Sequence, residues 1–318
     1  MSSSTLAAPG RASAPGPERG LKPVALPRRR RRGSWVPYAF MAPAVVAVLA
    51  LVVVPICQVA AQSLFDVRPT KHQGWEYIGL ENYTKAFGDA EVWSVLGRSL
   101  VWTIGGVFLQ FVVAMAGALL LRNIVGGKWL RAVFVLPWAT PMVVGSLAWK
   151  LMYQQNGLVN QILAAIGLGD FQHAWLADPK TALGAVILAN VWRGFPFIMI
   201  MLISGMVSIP EEVYEASAVD GAGFWRTFTN ITMPMLKPAI LTSTLMALIW
   251  TFNSFSNIYV LTGGGPAGTT DILTTFVYKE AFSSFNFGYA SALSMILFVI
   301  VAAGSSVYIR AYGKEVLA

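Results

Sequence analysis

The residues of this chain best suited to chemistry are amides, aromatic rings and one arginine within apolar stretches. Asn190, Arg193 and Phe197 share one helical face through their i, i+3 and i+4 spacing, and Trp192 adjoins them. Amide and guanidinium groups form hydrogen bonds to hydroxyl groups, and flat rings supply apolar contact. This combination indicates reversible binding of a polar solute such as a sugar.

A later apolar stretch carries a second face of the same character. Trp250, Asn253 and Asn257 share this face, and Tyr259 lies near its outer end. Polar residues at membrane depth are costly, so they form either a ligand site or a contact between helices. Hydrogen bonding to a partner subunit is therefore an alternative for each residue, and Arg193 could also pair with an anionic substrate or a partner carboxylate.

No catalytic or metal-binding set accompanies these residues. The chain has one cysteine, Cys57, which suits apolar packing, and two histidines, His72 and His173, far apart in sequence. HExxH, GxSxG and G-x-x-x-x-G-K-S/T patterns are absent, which predicts no metal, no catalytic residue and no ATP bound by this chain. All fifteen acidic residues fall outside the apolar stretches, which disfavours an ion-coupled transporter.

Long apolar stretches must position these side chains. Of 318 residues, 56% are hydrophobic and 12% are charged, against roughly 25% charged residues in soluble domains. The pattern predicts an all-α protein of the cell membrane with six transmembrane helices. Gly194 and Pro196 are expected to kink or unwind the fourth transmembrane helix. The predicted spans lie near 36–64, 95–121, 131–153, 181–207, 236–262 and 288–310.

The distribution of basic residues orients these spans. Lys and Arg number 15 on the side of the two termini and five on the other side, so both termini are predicted to be cytoplasmic. Residues 1–34, which end near Arg28–Arg32, are predicted to be a disordered basic tail that contacts anionic headgroups and not nucleic acid. Residues 35–318 are predicted to be the membrane domain, with the first span retained.

One polar loop, residues 208–238, lies on the predicted cytoplasmic side. Ser208 and Glu211 match a capping box, Pro210 suits a first helical turn, and Glu211, Glu212 and Glu215 complement the helix dipole. Gly221 and Gly223 are expected to end this helix before a second element that runs from Phe224 to Pro234. On these grounds alone, an interfacial helix without a partner remains an alternative.

The loop resembles the EAA signature of binding-protein-dependent ABC importer permeases, a pattern of E-A-A, three residues, Gly, nine residues and I-x-L-P. Glu215-Ala216-Ser217, Gly221 and Ile231-Thr232-Met233-Pro234 match it with both spacings correct. Ser217 and Met233 replace the usual Ala and Leu. The chain also carries Gly79-Leu-Glu-Asn-Tyr83, Leu136-Pro137 and Leu261-Thr-Gly-Gly-Gly-Pro266, which are similar to carbohydrate permeases of the MalF-like type.

The resemblance implies a six-helix MetI-like permease fold and a set of partners. These are a second, MalG-like permease subunit, a dimer of ATPase subunits that binds ATP and Mg, and an extracytoplasmic solute-binding protein. The turn of Gly263, Gly264, Gly265 and Pro266 is assigned to contact with the binding protein. The residues assigned to ATPase coupling are Glu211, Glu212, Glu215, Ala216, Ser217, Asp220, Gly221, Ile231 and Pro234.

The resemblance implies ATP-driven uptake of a carbohydrate, most simply a di- or oligosaccharide. Glycerol-phosphate or a polyol is the nearest alternative substrate. A self-sufficient secondary transporter or channel is the alternative of a different class, and a membrane enzyme is disfavoured by the missing catalytic set.

Overall fold

The computed structural model describes residues 35–69, 74–122 and 128–316, and helices dominate it. The predicted basic tail, 1–34, lies outside the described residues. Two short antiparallel strands, β1 (Phe65–Asp66) and β2 (Glu76–Tyr77), pair with each other. The α-helices are α1 (Val36–Val48), α2 (Val54–Gln62), α3 (Glu81–Gly88), α4 (Ala90–Leu100), α5 (Gly106–Arg122), α6 (Lys128–Ala139), α7 (Met142–Met152), α8 (Leu158–Ala165), α9 (Ala182–Val207), α10 (Glu211–Val219), α11 (Phe224–Thr227), α12 (Met233–Met235), α13 (Lys237–Phe252), α14 (Ser256–Leu261), α15 (Leu273–Phe282) and α16 (Phe287–Val316).

Within these ranges, four continuous helices are long and apolar enough to cross a membrane: Pro37–Gln62, Ala90–Leu121, Ala182–Val207 and Phe287–Tyr312. The first two pass through π-helical turns at Leu49–Val53 and Val101–Gly105. The four helices coincide with the predicted first, second, fourth and sixth spans. Two further candidates are helix pairs with a bend, so the number of spans is between four and six by length and composition.

The predicted third span is broken where α6 meets α7. The two helices make an angle of 99°. Pro141 caps α7 with extended backbone angles, and a residue that precedes proline is disfavoured in a helix, which ends α6 near Thr140. Pro137, by contrast, lies inside α6.

The predicted fifth span is shorter as a helix than the sequence suggested. Its helix α13 makes an angle of 68° with the preceding segment Phe224–Met235. At its other end, α13 stops at Phe252, before α14 begins at Ser256. The predicted stretch 236–262 is therefore interrupted at residues 253–255. This interruption is where the chain passes the cavity described below.

The fourth span, α9, is a continuous helix that includes Pro196. The sequence predicted that Gly194 and Pro196 kink or unwind this helix, and the part of the prediction that concerns unwinding is wrong. Gly194 instead permits close packing, because a Cβ atom there would meet the side chain of Gln110 on α5 at 2.5 Å. Tight contact with α5 supports the helix around its proline.

The chain divides into two units between Val52 and Val53; the structure describes residues 35–52 of the first and residues 53–69, 74–122 and 128–316 of the second. In the first, α1 exposes large apolar side chains such as Phe40 and Val46. In the second, α5, α9 and α13 form the main core around the buried Met115, Ile198 and Leu202. A second cluster around the buried Trp102, Val186 and Ile258 includes the N-terminal half of α9.

Candidate functional site

The structure brings the two predicted polar faces together around one cavity of about 520 Å³. Asn190, Arg193 and Phe197 reach it from α9, and Trp250 and Asn253 reach it from the end of α13. The cavity is also lined by Gln110, Trp138, Met142, Gly194, Ala247, Thr251, Ser254, Phe255 and Ser256.

Three aromatic rings form one wall of this cavity. Phe197 lies between the other two, with its ring centroid 6.3 Å from Trp138 and 4.7 Å from Trp250. Trp250 remains 51% exposed and Trp138 44% exposed. Flat apolar surface of this kind is available to a ligand without any rearrangement of the core.

Unsatisfied polar atoms gather at the same cavity. Asn190 Nδ2, Arg193 Nε and Ser254 Oγ are buried and lack a hydrogen-bond partner among the described residues. Asn190 is 8% and Ser254 9% exposed. Buried polar groups in proteins are nearly always paired with protein groups or ordered water, so these three atoms are available to hydrogen-bond partners that enter the cavity.

Three predicted pathway residues lie away from the cavity. Trp192 contacts Trp149, with centroids 5.9 Å apart, and lines a separate apolar cavity of about 820 Å³. Asn257 is buried, accepts from Ser146 Oγ at 3.1 Å and donates to Asn190 Oδ1 at 3.4 Å. Tyr259 stacks on Phe255 at 4.8 Å. Asn257 and Tyr259 thus contact lining residues from outside the cavity, whereas Trp192 belongs to the separate apolar cavity.

Sequence reasoning missed several lining residues. Gln110 contacts Gly194 and lies 3.4 Å from Asn190 O, to which its Nε2 donates. Gln110 is a polar residue within the predicted second span, so the cost of a polar group at membrane depth marks it as a candidate in the same way as Asn190. Trp138 and Ser254 carried no such signal, because the bend between α6 and α7 and the end of α13 decide where they point.

The polar loop begins differently from the prediction. Ser208 Oγ donates to Gly205 O at 2.7 Å and does not cap α10, so the predicted capping box is wrong. The hydroxyl satisfies a carbonyl at the end of α9 instead. Pro210 occupies the cap position and not the first helical turn for which the sequence suited it, whereas Glu211 and Glu212 lie in the first turn of α10, as predicted.

The inner side of α10 is fixed to the rest of the loop and to the main core. Val213 and Tyr214 pack against that core, and Ser217 is buried with its Oγ 2.8 Å from Thr227 Oγ1. Gly221 ends the turn with φ of 68°, a conformation that glycine adopts readily. The following element runs through α11, a π-helical turn at Phe228–Thr232, and α12, in agreement with the prediction.

The outer side of α10 is open. Glu212, Glu215, Ala216 and Val219 share one exposed helical face, which we term the coupling face. Glu211 and Asp220 are exposed at its two ends, and Pro234 is exposed further along the loop, whereas Ile231 is partly buried. Val219 is 87% exposed, and the neighbouring Phe224 and Trp225 are 61% and 73% exposed. A small residue flanked by apolar and acidic groups is suited to close approach by another surface.

The glycine turn at residues 263–266 is held rigidly. Gly263 and Gly264 have φ of 62° and 88°, and a Cβ atom on Gly264 would clash with Asp271 and Lys279. Asp271 is buried and pairs with Lys279 Nζ at 2.6 Å, and its backbone carbonyl accepts from Arg98 Nε at 3.0 Å. Gly265 and Pro266 line a surface cavity of about 480 Å³.

Comparison with known proteins identifies the family. Residues 106–311 match the family "Binding-protein-dependent transport system inner membrane component". The chain is 35% identical over 289 residues to the "Probable ABC transporter permease protein YurN" of Bacillus subtilis (strain 168), covering 88% of this chain and 97% of that protein. It is 33% identical over 281 residues to the "Trehalose/maltose transport system permease protein MalF" of Thermococcus litoralis, covering 86% and 92%.

A solved structure supports the same fold. A chain from the "bacterial alginate ABC transporter in complex with alginate pentasaccharide-bound periplasmic protein" superposes with a TM-score of 0.75 at 21% identity, covering 89% of this chain and 95% of that one. Within the described residues, no group of His, Cys, Asp and Glu could hold a metal ion. On the strength of the family match and of these relatives, the chain belongs to the inner membrane components of binding-protein-dependent transport systems: it is a multi-pass ABC transporter permease, a membrane transport component.

Proposed function

We propose that this chain is the MalF-like permease of an ABC importer that moves a di- or oligosaccharide through the cavity beside Arg193. The observation that carries the proposal is the combination of an aromatic wall with unsatisfied polar atoms in one cavity. Saccharides present hydroxyl groups and apolar C–H faces, which this lining complements. The similarity to a trehalose/maltose permease supports the same substrate class.

The coupling face is proposed to dock on a separate ATPase. Glu215, Ala216 and Gly221 match the family signature in position, and the open face of α10 offers the small and apolar surface that docking needs. The inner side of the same helix packs on the core that includes α9. Movement of a docked ATPase would therefore be transmitted to the helix that lines the cavity.

The remaining subunits complete the importer. A second, MalG-like permease would close the open side of the cavity, and a dimer of ATPase subunits would bind ATP and Mg. A solute-binding protein would contact the rigid turn at Gly263–Pro266 from outside the cell. In this arrangement the chain crosses the bacterial cell membrane six times, with both termini in the cytoplasm.

The substrate class can be tested with a panel of labelled solutes. Cells that express the complete importer should accumulate one or more di- or oligosaccharides, and deletion of this chain alone should abolish that uptake. Glycerol-phosphate and a polyol serve as the matched alternative substrates. Uptake of either of those in preference to every saccharide would contradict the carbohydrate assignment while leaving the permease assignment intact.

A further inference from the structure

Three buried polar side chains connect the cavity to residues that do not line it. Ser146 of α7 and Asn257 of α14 are each 3% exposed, and Asn190 of α9 is 8% exposed. Ser146 Oγ donates to Asn257 Oδ1 at 3.1 Å, and Asn257 Nδ2 donates to Asn190 Oδ1 at 3.4 Å. Of the three residues, only Asn190 lines the cavity. We term this series of hydrogen bonds the serine–asparagine relay.

The relay joins helices that begin after the breaks in the predicted third and fifth spans. Helix α7 begins after the 99° bend, and α14 begins after the interruption at residues 253–255. A second contact between these two helices runs from Lys150 Nζ to Val260 O at 3.3 Å. Packing of α7 on α14 therefore places Ser146 opposite Asn257, although the two residues are 111 positions apart in sequence.

The relay has a preferred direction. As observed, the Ser146 hydroxyl hydrogen, both ends of the Asn257 amide and Asn190 Oδ1 are all paired, and the atom left over is Asn190 Nδ2. If both amides were reversed, Asn257 would donate to Ser146 Oγ. The buried serine hydroxyl would then lose the acceptor that it has among the described residues. Buried polar groups are nearly always paired, so the observed direction is favoured.

We propose that Ser146 and Asn257 are positioning residues that hold the Asn190 amide so that its Nδ2 donates to a hydroxyl oxygen of the solute. This inference rests on the proposed function, because it requires a saccharide in the cavity. Arg193 Nε, one turn further along α9, is also a donor without a partner. The part of the solute that lies against α9 is therefore recognised through its acceptor oxygens.

Loss of the Ser146 hydroxyl should reduce transport without reducing assembly. In the complete importer, Ser146→Ala is expected to lower uptake per co-purified complex by about fivefold, since it leaves a buried amide without its partner. Asn190→Ala, which removes the donor itself, should lower uptake by roughly tenfold or more. Ser146→Thr keeps the hydroxyl and should retain most of the uptake.

Ser243→Ala is the matched control for Ser146→Ala. Ser243 is also buried, lies on α13 outside the cavity lining, and donates to Ile240 O within its own helix. Its replacement removes the same hydroxyl group from a membrane helix without touching the relay. Uptake per co-purified complex in Ser243→Ala should therefore match that of the native chain.

A double-mutant cycle separates positioning from packing. If Ser146 acts through Asn190, Ser146→Ala should cause no further loss of uptake in the Asn190→Ala background, whereas independent packing effects would multiply. A second readout uses the transported saccharide and its monodeoxy analogues. The native chain should discriminate against at least one analogue, and both single variants should lose that discrimination. The same binding protein serves every variant, so its own preference cancels in the comparison.

Three results would overturn the proposal. These are equal uptake by Ser146→Ala and Ser243→Ala, multiplied losses in the double variant, and an unchanged preference among the analogues in Ser146→Ala. Preferential uptake of a solute that is not a saccharide would instead contradict the proposed function. The double-mutant cycle measured with that solute would still test the relay.

Discussion

Replacing Ala216 by tryptophan is expected to lower ATP-driven uptake by roughly tenfold or more, because the coupling free energy between distant sites commonly reaches that size. Ala216 is the small residue of the coupling face, between the exposed Glu212 and Val219. A large side chain there would keep the ATPase from approaching α10. The buried Ser217 side of the helix would be undisturbed, so the protein should still insert into the membrane.

Two measurements separate this effect from misfolding. Co-purification with the second permease should be retained in Ala216→Trp, while stimulation of ATP hydrolysis by the loaded binding protein should be lost. Ala216→Ser, which keeps the residue small, is the matched control and should behave like the native chain. If Ala216→Trp took up solute at the same rate as the native chain, the coupling face would not be the surface that another protein binds.

Replacing Trp250 by alanine is expected to reduce saccharide uptake by about tenfold, which corresponds to the ~1.5 kcal/mol that a good aromatic contact contributes. Trp250 forms the exposed end of the aromatic wall, 4.7 Å from Phe197. Its removal would eliminate a flat contact surface without opening the main core, since the side chain is half exposed. Trp250→Phe should retain most of the uptake.

Trp93→Ala is a matched control for this variant. Trp93 is 55% exposed, close to the exposure of Trp250, and lies on α4 outside the cavity lining. Uptake relative to the amount of assembled importer should fall in Trp250→Ala and not in Trp93→Ala. Equal loss in both variants would point to a general effect of removing tryptophan and would remove Trp250 from the pathway.

The sequence was sufficient to predict the features that depend on local spacing. The end of α10 near Gly221 and the element that follows it agree with the structure, because a glycine with positive φ is a local requirement. The positions of the long apolar helices also agree, because hydrophobic length is a local property.

Features decided by long-range packing could not be predicted in this way. Pro137 and Pro196 remain inside helices while the chain breaks at Pro141, and the three differ in their surroundings and not in residue type. The spacing of Ser208 and Glu211 suits a cap on α10, yet the Ser208 hydroxyl donates back to Gly205 O at the end of α9.

The lining of the cavity shows the same division between local and distant effects. Asn257 has the spacing of a lining residue, yet it is drawn into contacts with Ser146 and Asn190, which are 111 and 67 residues away in sequence. Ser254 enters the lining because α13 stops at Phe252. Helical spacing located the two polar faces, and only the packed structure determines which members of each face reach the cavity.

Reconstitution into liposomes tests the central claim most directly. This chain, its second permease and the ATPase are inserted together, the ATP is enclosed with the ATPase, and saccharide-loaded binding protein is added on the opposite side. Saccharide should accumulate only when ATP and every subunit are present, and this chain alone should transport nothing. Transport by this chain alone, without ATP, would contradict the account and establish a self-sufficient channel or secondary transporter.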